Sequence, residues 1–225
     1  MLVTTLGSCR QDSIKNYYNV SKIGEELTYP HYTKEVIQAI EFCKGISTIQ
    51  PQDTITCFRS GFLSKKELNS NDFNNDYCNT DIFIIEIASR IVYKYNNNYT
   101  HHIVSEDSYG FHDRNNINIY TQTDNEIEED LLKIRDLLYP KPFIIVSHIY
   151  TESTSSRYEL VILLKRLTDK YNIPFMNPSE LLKDYNKSEI YQNERPLHHF
   201  TPIGHELIRV KYNEKICEVL SNINL

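Results

Sequence analysis

The chain lacks the marks of most protein classes before it shows any of its own. No apolar run approaches the roughly 18 residues that span a bilayer, and residues 1 to 10 carry neither a basic start nor a long apolar stretch. Neither a membrane partner nor a secretory leader is expected, which points to a cytoplasmic protein. There is no surplus of positive charge: 24 Lys and Arg stand against 30 Asp and Glu, interspersed, for a net charge of −6. That balance offers no footprint for nucleic acid or an anionic membrane surface. The five cysteines, Cys9, Cys43, Cys57, Cys78 and Cys217, are odd in number and form no CxxC pair, which argues against a disulfide framework and a zinc ribbon. No HxxxH pair falls on a predicted helix, so no metal is expected. Tryptophan is absent, and so are internal repeats and any Pro/Gly/Ser-rich linker. What remains is one globular unit over 1–225, 40% hydrophobic and 24% charged, long enough to bury a core unaided.

Within that unit, apolar runs alternate with helical patterns. Leu2 to Leu6 reads as a first strand ending at Gly7, and Thr54 to Phe58 as a second that closes on Arg59 to Gly61. Asp81 to Ser89, "DIFIIEIAS", and Phe143 to Ile149 have the near-continuous apolar character of strands buried on both faces of a parallel sheet. Ile173 to Met176 is a shorter one. Between them, Thr33 caps a helix over Lys34 to Lys44, whose Val36, Ile37, Ile40 and Cys43 share one face. Thr123 and Glu126 match a capping box that opens a helix running to about Leu138, where Pro140 and Pro142 stop it. A further helix covers about Ser155 to Tyr171, and Pro178 starts a helical turn. Thr201 and Pro202 cap and start a last helix that runs to about Leu220. Residues 95–122 are polar and Asn-rich and read as an excursion. The alternation predicts an α/β fold, a three-layer α/β/α sandwich with a central parallel sheet of the flavodoxin-like kind.

In such sheets the ligand crevice lies at the carboxyl ends of the strands. That rule gathers Gly7, Ser8, Cys9 and Arg10 from the first strand and Arg59, Ser60 and Gly61 from the second. It adds Ser89 and Arg90 from the third and Ser147 and His148 from the fourth. His199 stands just before the cap of the last helix. A thiol, an imidazole and several guanidiniums at one rim make a nucleophile, a base and anion stabilisers. Other readings stay open for some of them: His148 as a structural histidine at a strand end, His31 as a rim residue or a surface one, and Arg90 as the ion-pair partner of an acidic neighbour such as Glu86. His101, His102 and His112 read as solvated residues of the excursion. Cys43, Cys57, Cys78 and Cys217 read as small buried fillers.

The order of these parts resembles the SGNH/GDSL superfamily, in a variant with a GSC first block close to polysaccharide-biosynthesis members. "TLGSCR" is similar to its nucleophile block, with Cys9 where serine usually stands and Ser8 in place of the aspartate. "HFTPIGHELI" resembles its last block, His199 being followed five residues later by Gly204. "TDIFIIEIASR" is similar to the third block, with Arg90 at the oxyanion-hole asparagine, and Gly61 is the candidate for the second block's glycine. Pro196 occupies the position of the usual orienting aspartate, so Glu194 takes its place or the site is a Cys-His dyad.

The resemblance implies Cys9 as nucleophile, with Ser8 beside it, and His199 as proton carrier. Arg10, Arg59 and Arg90, with Gly61, His31 and His148, would line the oxyanion or substrate positions. Thiolate exchange with a thioester is nearly balanced, whereas attack on an oxygen ester is uphill, so a cysteine here favours transfer from acetyl-CoA over hydrolysis. The expected acceptor is a sugar or nucleotide sugar, N- or O-acetylated in glycan biosynthesis. An SGNH-type esterase or deacetylase acting on an acylated carbohydrate is the runner-up, and an inactive glycan- or coenzyme A-binding module the third reading. A chain ending directly after its last helix would also suit one segment of a longer, multidomain enzyme.

Overall fold

The computed structural model describes residues 1–150, 152–192 and 199–223. The strands in chain order are β1 (Leu2–Leu6), β2 (Asn19–Val20), β3 (Ile82–Ile87), β4 (Ile91–Tyr95), β5 (Asn98–Tyr99), β6 (Asn118–Thr121), β7 (Phe143–Ser147) and β8 (Phe175–Met176). The α-helices are α1 (Thr33–Cys43), α2 (Thr54–Cys57), α3 (Arg59–Ser64), α4 (Asn71–Asn79), α5 (Asp124–Leu138), α6 (Ser156–Tyr171), α7 (Pro178–Leu181), α8 (Lys187–Ile190) and α9 (Pro202–Ile223). Five strands form a central sheet in the order β2-β1-β3-β7-β8, and every pair in it is parallel.

Central strand β3 explains the layering. Side chains alternate along a strand, so Phe83, Ile85 and Ile87 face one side of the sheet and Ile82 and Ile84 the other. The first set packs with Val36 and Ile40 of α1, Leu131 and Ile134 of α5, and Leu160 and Leu164 of α6. The second packs with Ile14 and with Ile208, Tyr212 and Ile216 of α9. This is the expected three-layer α/β/α sandwich, with helices on both faces of a parallel sheet. The same alternation puts Glu86, alone among the β3 side chains in carrying charge, on the α9 side.

Residues 91–121 are more ordered than their polarity suggests. Strands β5-β4-β6 form a small antiparallel sheet, its tight hairpin turned by Asn96 and Asn97 at φ 47 and 66°, a conformation Asn tolerates better than most residues. Phe62, Ile103, Val104 and Ile117 form a separate apolar cluster beneath it. The Tyr32 hydroxyl meets the carbonyls of Tyr93 and Thr100 at 3.0 and 2.7 Å, and Gln38 exchanges two hydrogen bonds with the Tyr99 backbone. These bonds dock the excursion on the start of α1, beside His31.

Two readings from sequence are corrected. Thr54 to Phe58 is not a strand: it forms α2 and the entry to α3, the preceding Pro51–Asp53 turn winding the chain into helix. The strand that occupies the sheet edge is the two-residue β2, too short to leave an apolar run. Gly61 serves that helical corner, since a Cβ there would lie 2.6 Å from the Thr54 carbonyl oxygen. Thr33 does not cap α1; Tyr32 holds the cap position, and the Thr33 hydroxyl lies 2.6 Å from Asp130. The capping box of Thr123 and Glu126 is present, and the Gly204 N–H donates to the Thr201 hydroxyl at 3.1 Å at the start of α9.

Candidate active site

The carboxyl ends of β1, β3 and β7 converge on one buried carboxylate. Oε2 of Glu86 accepts the Ser8 backbone N–H at 2.7 Å and the Ser8 hydroxyl at 2.6 Å, while Oε1 lies 2.5 Å from His148 Nδ1. Arg10 closes the network, its Nη1 donating to the Ser8 oxygen at 3.1 Å. All four residues are buried, Glu86 to 2% exposure. The register of β1 against β3 brings this about, and Gly7 permits it: a Cβ there would stand 2.5 Å from the Glu86 Cβ.

A charge this deep is costly unless it is paired and hydrogen-bonded. Burial alone would raise the Glu86 pKa, but His148, Arg10 and the Ser8 donor outweigh it and bring it down to about 2. Burial pushes His148 the other way, toward the neutral form, and the positive charges of Arg10 and Arg157 add to that push against the pull of Glu86. At neutral pH the pair is therefore a carboxylate and a neutral imidazole. An ionised carboxylate can only accept, so the proton sits on Nδ1 and the lone pair on Nε2. The geometry is that of an imidazole oriented as a general base. Arg157, near the start of α6, brings a second guanidinium into the field of Glu86 and Arg10.

Cys9 follows Ser8 directly. It is exposed and opens a 3₁₀ helix over Cys9–Asn16. Cys43 and Cys57 are the buried fillers expected, and burial raises both of their pKa values. Cys78 and Cys217, expected to be buried, are exposed. The Ser8 hydroxyl donates to Glu86 and accepts from Arg10.

Beside this centre lies a cluster of imidazoles. His31 is half-buried, with ring centroids 4.4 Å from His102 and 5.5 Å from His101. The expectation that His101 and His102 are solvated fails: His101 is 1% exposed and His102 half-buried, while His112 is exposed as expected. Burial, then the neighbouring His102, lowers the His31 pKa to about 3. Burial and Arg59 lower that of His102 to about 4. The same causes, burial and neighbouring charge, hold His101 well below its usual value. Arg59 is at this rim, its guanidinium 5.1 Å from the Tyr29 ring centroid.

Two of the remaining predicted residues, Arg90 and Gly61, have other partners. Arg90 forms an ion pair with Asp124 at 2.6 Å, not with Glu86. Gly61 belongs to the helical corner described above rather than to a strand end. His199 is half-buried; its carbonyl accepts the Gln192 N–H at 2.8 Å just before Phe200, which bridges to Tyr191. Glu194 and Pro196 lie outside the described residues. Sequence reasoning missed Glu86 as the centre of the site, although the one carboxylate inside the apolar run "IFIIEI" was its signal. Arg157 carried no such signal.

A family model described as "TviD N-terminal domain" matches residues 1–108 and 104–208. The chain belongs to the TviD N-terminal domain family. No curated protein matches. A solved structure titled "Salicylyl-Acyltransferase SsfX3 from a Tetracycline Biosynthetic Pathway" is similar over 65% of this chain, with 11% identity and a TM-score of 0.33. The similar region spans 38% of that neighbour's length, and a likeness so distant carries no argument about activity. No helix among the described residues is long and apolar enough to cross a membrane.

Proposed function

We propose that this member of the TviD N-terminal domain family is an acyltransferase that acetylates a sugar or nucleotide sugar in glycan biosynthesis, with acetyl-CoA as donor. The observation that carries the reading is the buried Glu86 carboxylate, which holds both an oriented imidazole and the residue next to an exposed thiol. Strongly perturbed, coupled titratable groups at strand ends are the setting of acid-base chemistry. The SGNH/GDSL-like motifs supply the assignment of Cys9 and His199.

In this account the Cys9 thiolate attacks the acetyl carbonyl of the thioester, and the tetrahedral adduct expels the coenzyme A thiolate, which takes up a proton. The acceptor hydroxyl or amine then gives up a proton to an imidazole as it attacks the acetyl-cysteine, and the thiolate returns. His148, oriented by Glu86, is the base for that second step, and His199 is the proton carrier for the first. Arg10 and Arg157 supply positive potential for the oxyanion or the coenzyme A phosphates.

The experiment is incubation with acetyl-CoA and a panel of amino sugars and nucleotide sugars, following free thiol. Acceptor-dependent release that is lost in Cys9→Ala supports the reading. No release with any acceptor, together with hydrolysis of aryl acetates, would favour the esterase or deacetylase instead. Coenzyme A binding without turnover, unaffected by His199→Ala, would favour the inactive binding module.

A further inference from the structure

The imidazole cluster takes no part in the chemistry just described, and its hydrogen bonds have a pattern that ring packing alone does not explain. One ligand-capable atom from each of His31, His101 and His102 lies within 4.8 Å of the other two. Nε2 of His101 lies 3.1 Å from the Tyr29 carbonyl, and Nε2 of His102 lies 3.4 Å from Glu106 Oε1. A carbonyl or carboxylate on one ring nitrogen is what fixes a metal-binding histidine and leaves its other nitrogen to the ion. In His102 that other nitrogen, Nδ1, is buried with no hydrogen-bond partner among the described residues. In His101 the Nδ1 accepts the Ile103 N–H at a long 3.4 Å, a weak bond that an ion would replace. The His31 ring makes no hydrogen bond among the described residues, while the Glu35 carboxylate pins its backbone N–H at 2.9 Å.

We propose that His31, His101 and His102 form a three-imidazole site for a divalent transition-metal ion of the zinc class. Metal-nitrogen bonds of about 2.0–2.1 Å in tetrahedral geometry set the nitrogens roughly 3.4 Å apart, so small inward ring rotations complete the site. Three nitrogen ligands suit zinc, copper, iron or nickel and leave a fourth position for water or a substrate oxygen. Arg59 and Arg10 oppose a cation here, and Glu106 and Glu86 offset them. The site was invisible as a motif because His101 and His102 are adjacent in sequence. The start of the 3₁₀ turn at His102–Ser105 brings their rings to 4.4 Å, and the docking of the excursion on α1 adds His31.

The test is calorimetric titration of the metal-stripped full chain with Zn²⁺ alone, backed by the visible spectrum of the Co²⁺ form. One ion per chain is expected, with a tetrahedral Co²⁺ spectrum. Affinity should fall about a hundredfold or more in His102→Ala and His31→Ala, and about tenfold in the exposed-position variant Glu106→Gln, each checked for folding by circular dichroism. Less than one equivalent bound, or binding that survives the histidine substitutions because exposed thiols hold the ion, overturns the proposal. The readout is stoichiometry, so the outcome is independent of whether the chain transfers acyl groups.

Discussion

Replacing Glu86 by Gln tests the electrostatic centre with almost no change of shape. The amide keeps one acceptor oxygen, which remains with the two Ser8 donors, and turns its NH₂ toward His148 Nδ1. Hydrogen bonds to a charged group are worth about 1.5–3 kcal/mol and neutral ones about 0.5–1.5. Two Ser8 bonds that lose their charge therefore cost about 2 kcal/mol in all. For a chain of this size that lowers the melting temperature by roughly 4–8 °C. His148 meets a donor where it met an acceptor, so its proton moves to Nε2 and the base is lost. Calorimetry at neutral pH reads the first effect, and ¹⁵N shifts of the His148 ring read the second. An unchanged melting temperature together with an unchanged tautomer would refute the claim that Glu86 is an ionised acceptor for both partners.

Acid should destabilise the fold over a defined window. The unfolded chain protonates His31 and His102 near 6.5, whereas the folded chain resists until about 3 and about 4, so stability drops as pH falls below 6.5. His101 and His148 act in the same direction. Glu86 adds its own loss as pH falls from 4.5 toward 2. Urea midpoints that stay flat between pH 6.5 and 4 would contradict this. Gly7→Ala should displace Glu86 and cost about 1–3 kcal/mol by overpacking, read from the same urea curves. Cys9→Ala should abolish acyl transfer while leaving stability within about 0.5 kcal/mol of the parent, as an exposed position allows.

The layered fold was legible because β3 and β7 are near-continuous apolar runs and α5, α6 and α9 carry their own start signals. The edge was not: β2 is two residues long, and the β-branched content of Thr54 to Phe58 mimics a strand where a preceding proline turn starts a helix. Ser8, Arg10 and His148, which meet at Glu86, were legible from the rule that ligands gather at strand ends, and that rule also picked out Cys9 beside them. Glu86 was hidden by that same apolar run, which marked its strand as core. Its role depends on the register of β1 against β3, and register is a property of pairing rather than of either segment. The polar composition of 91–121 concealed a docked sheet, because backbone and side-chain bonds to Tyr32 and Gln38, rather than a large core, hold it in place.

The most direct test of the acyl-transfer account is intact-mass and peptide analysis of the chain after brief exposure to acetyl-CoA without acceptor. The account predicts one acetyl group on Cys9, removed on adding the right sugar and persistent when His148→Ala is given the same acceptor. Acetyl-CoA left intact, or an acetyl group found only elsewhere, would contradict it.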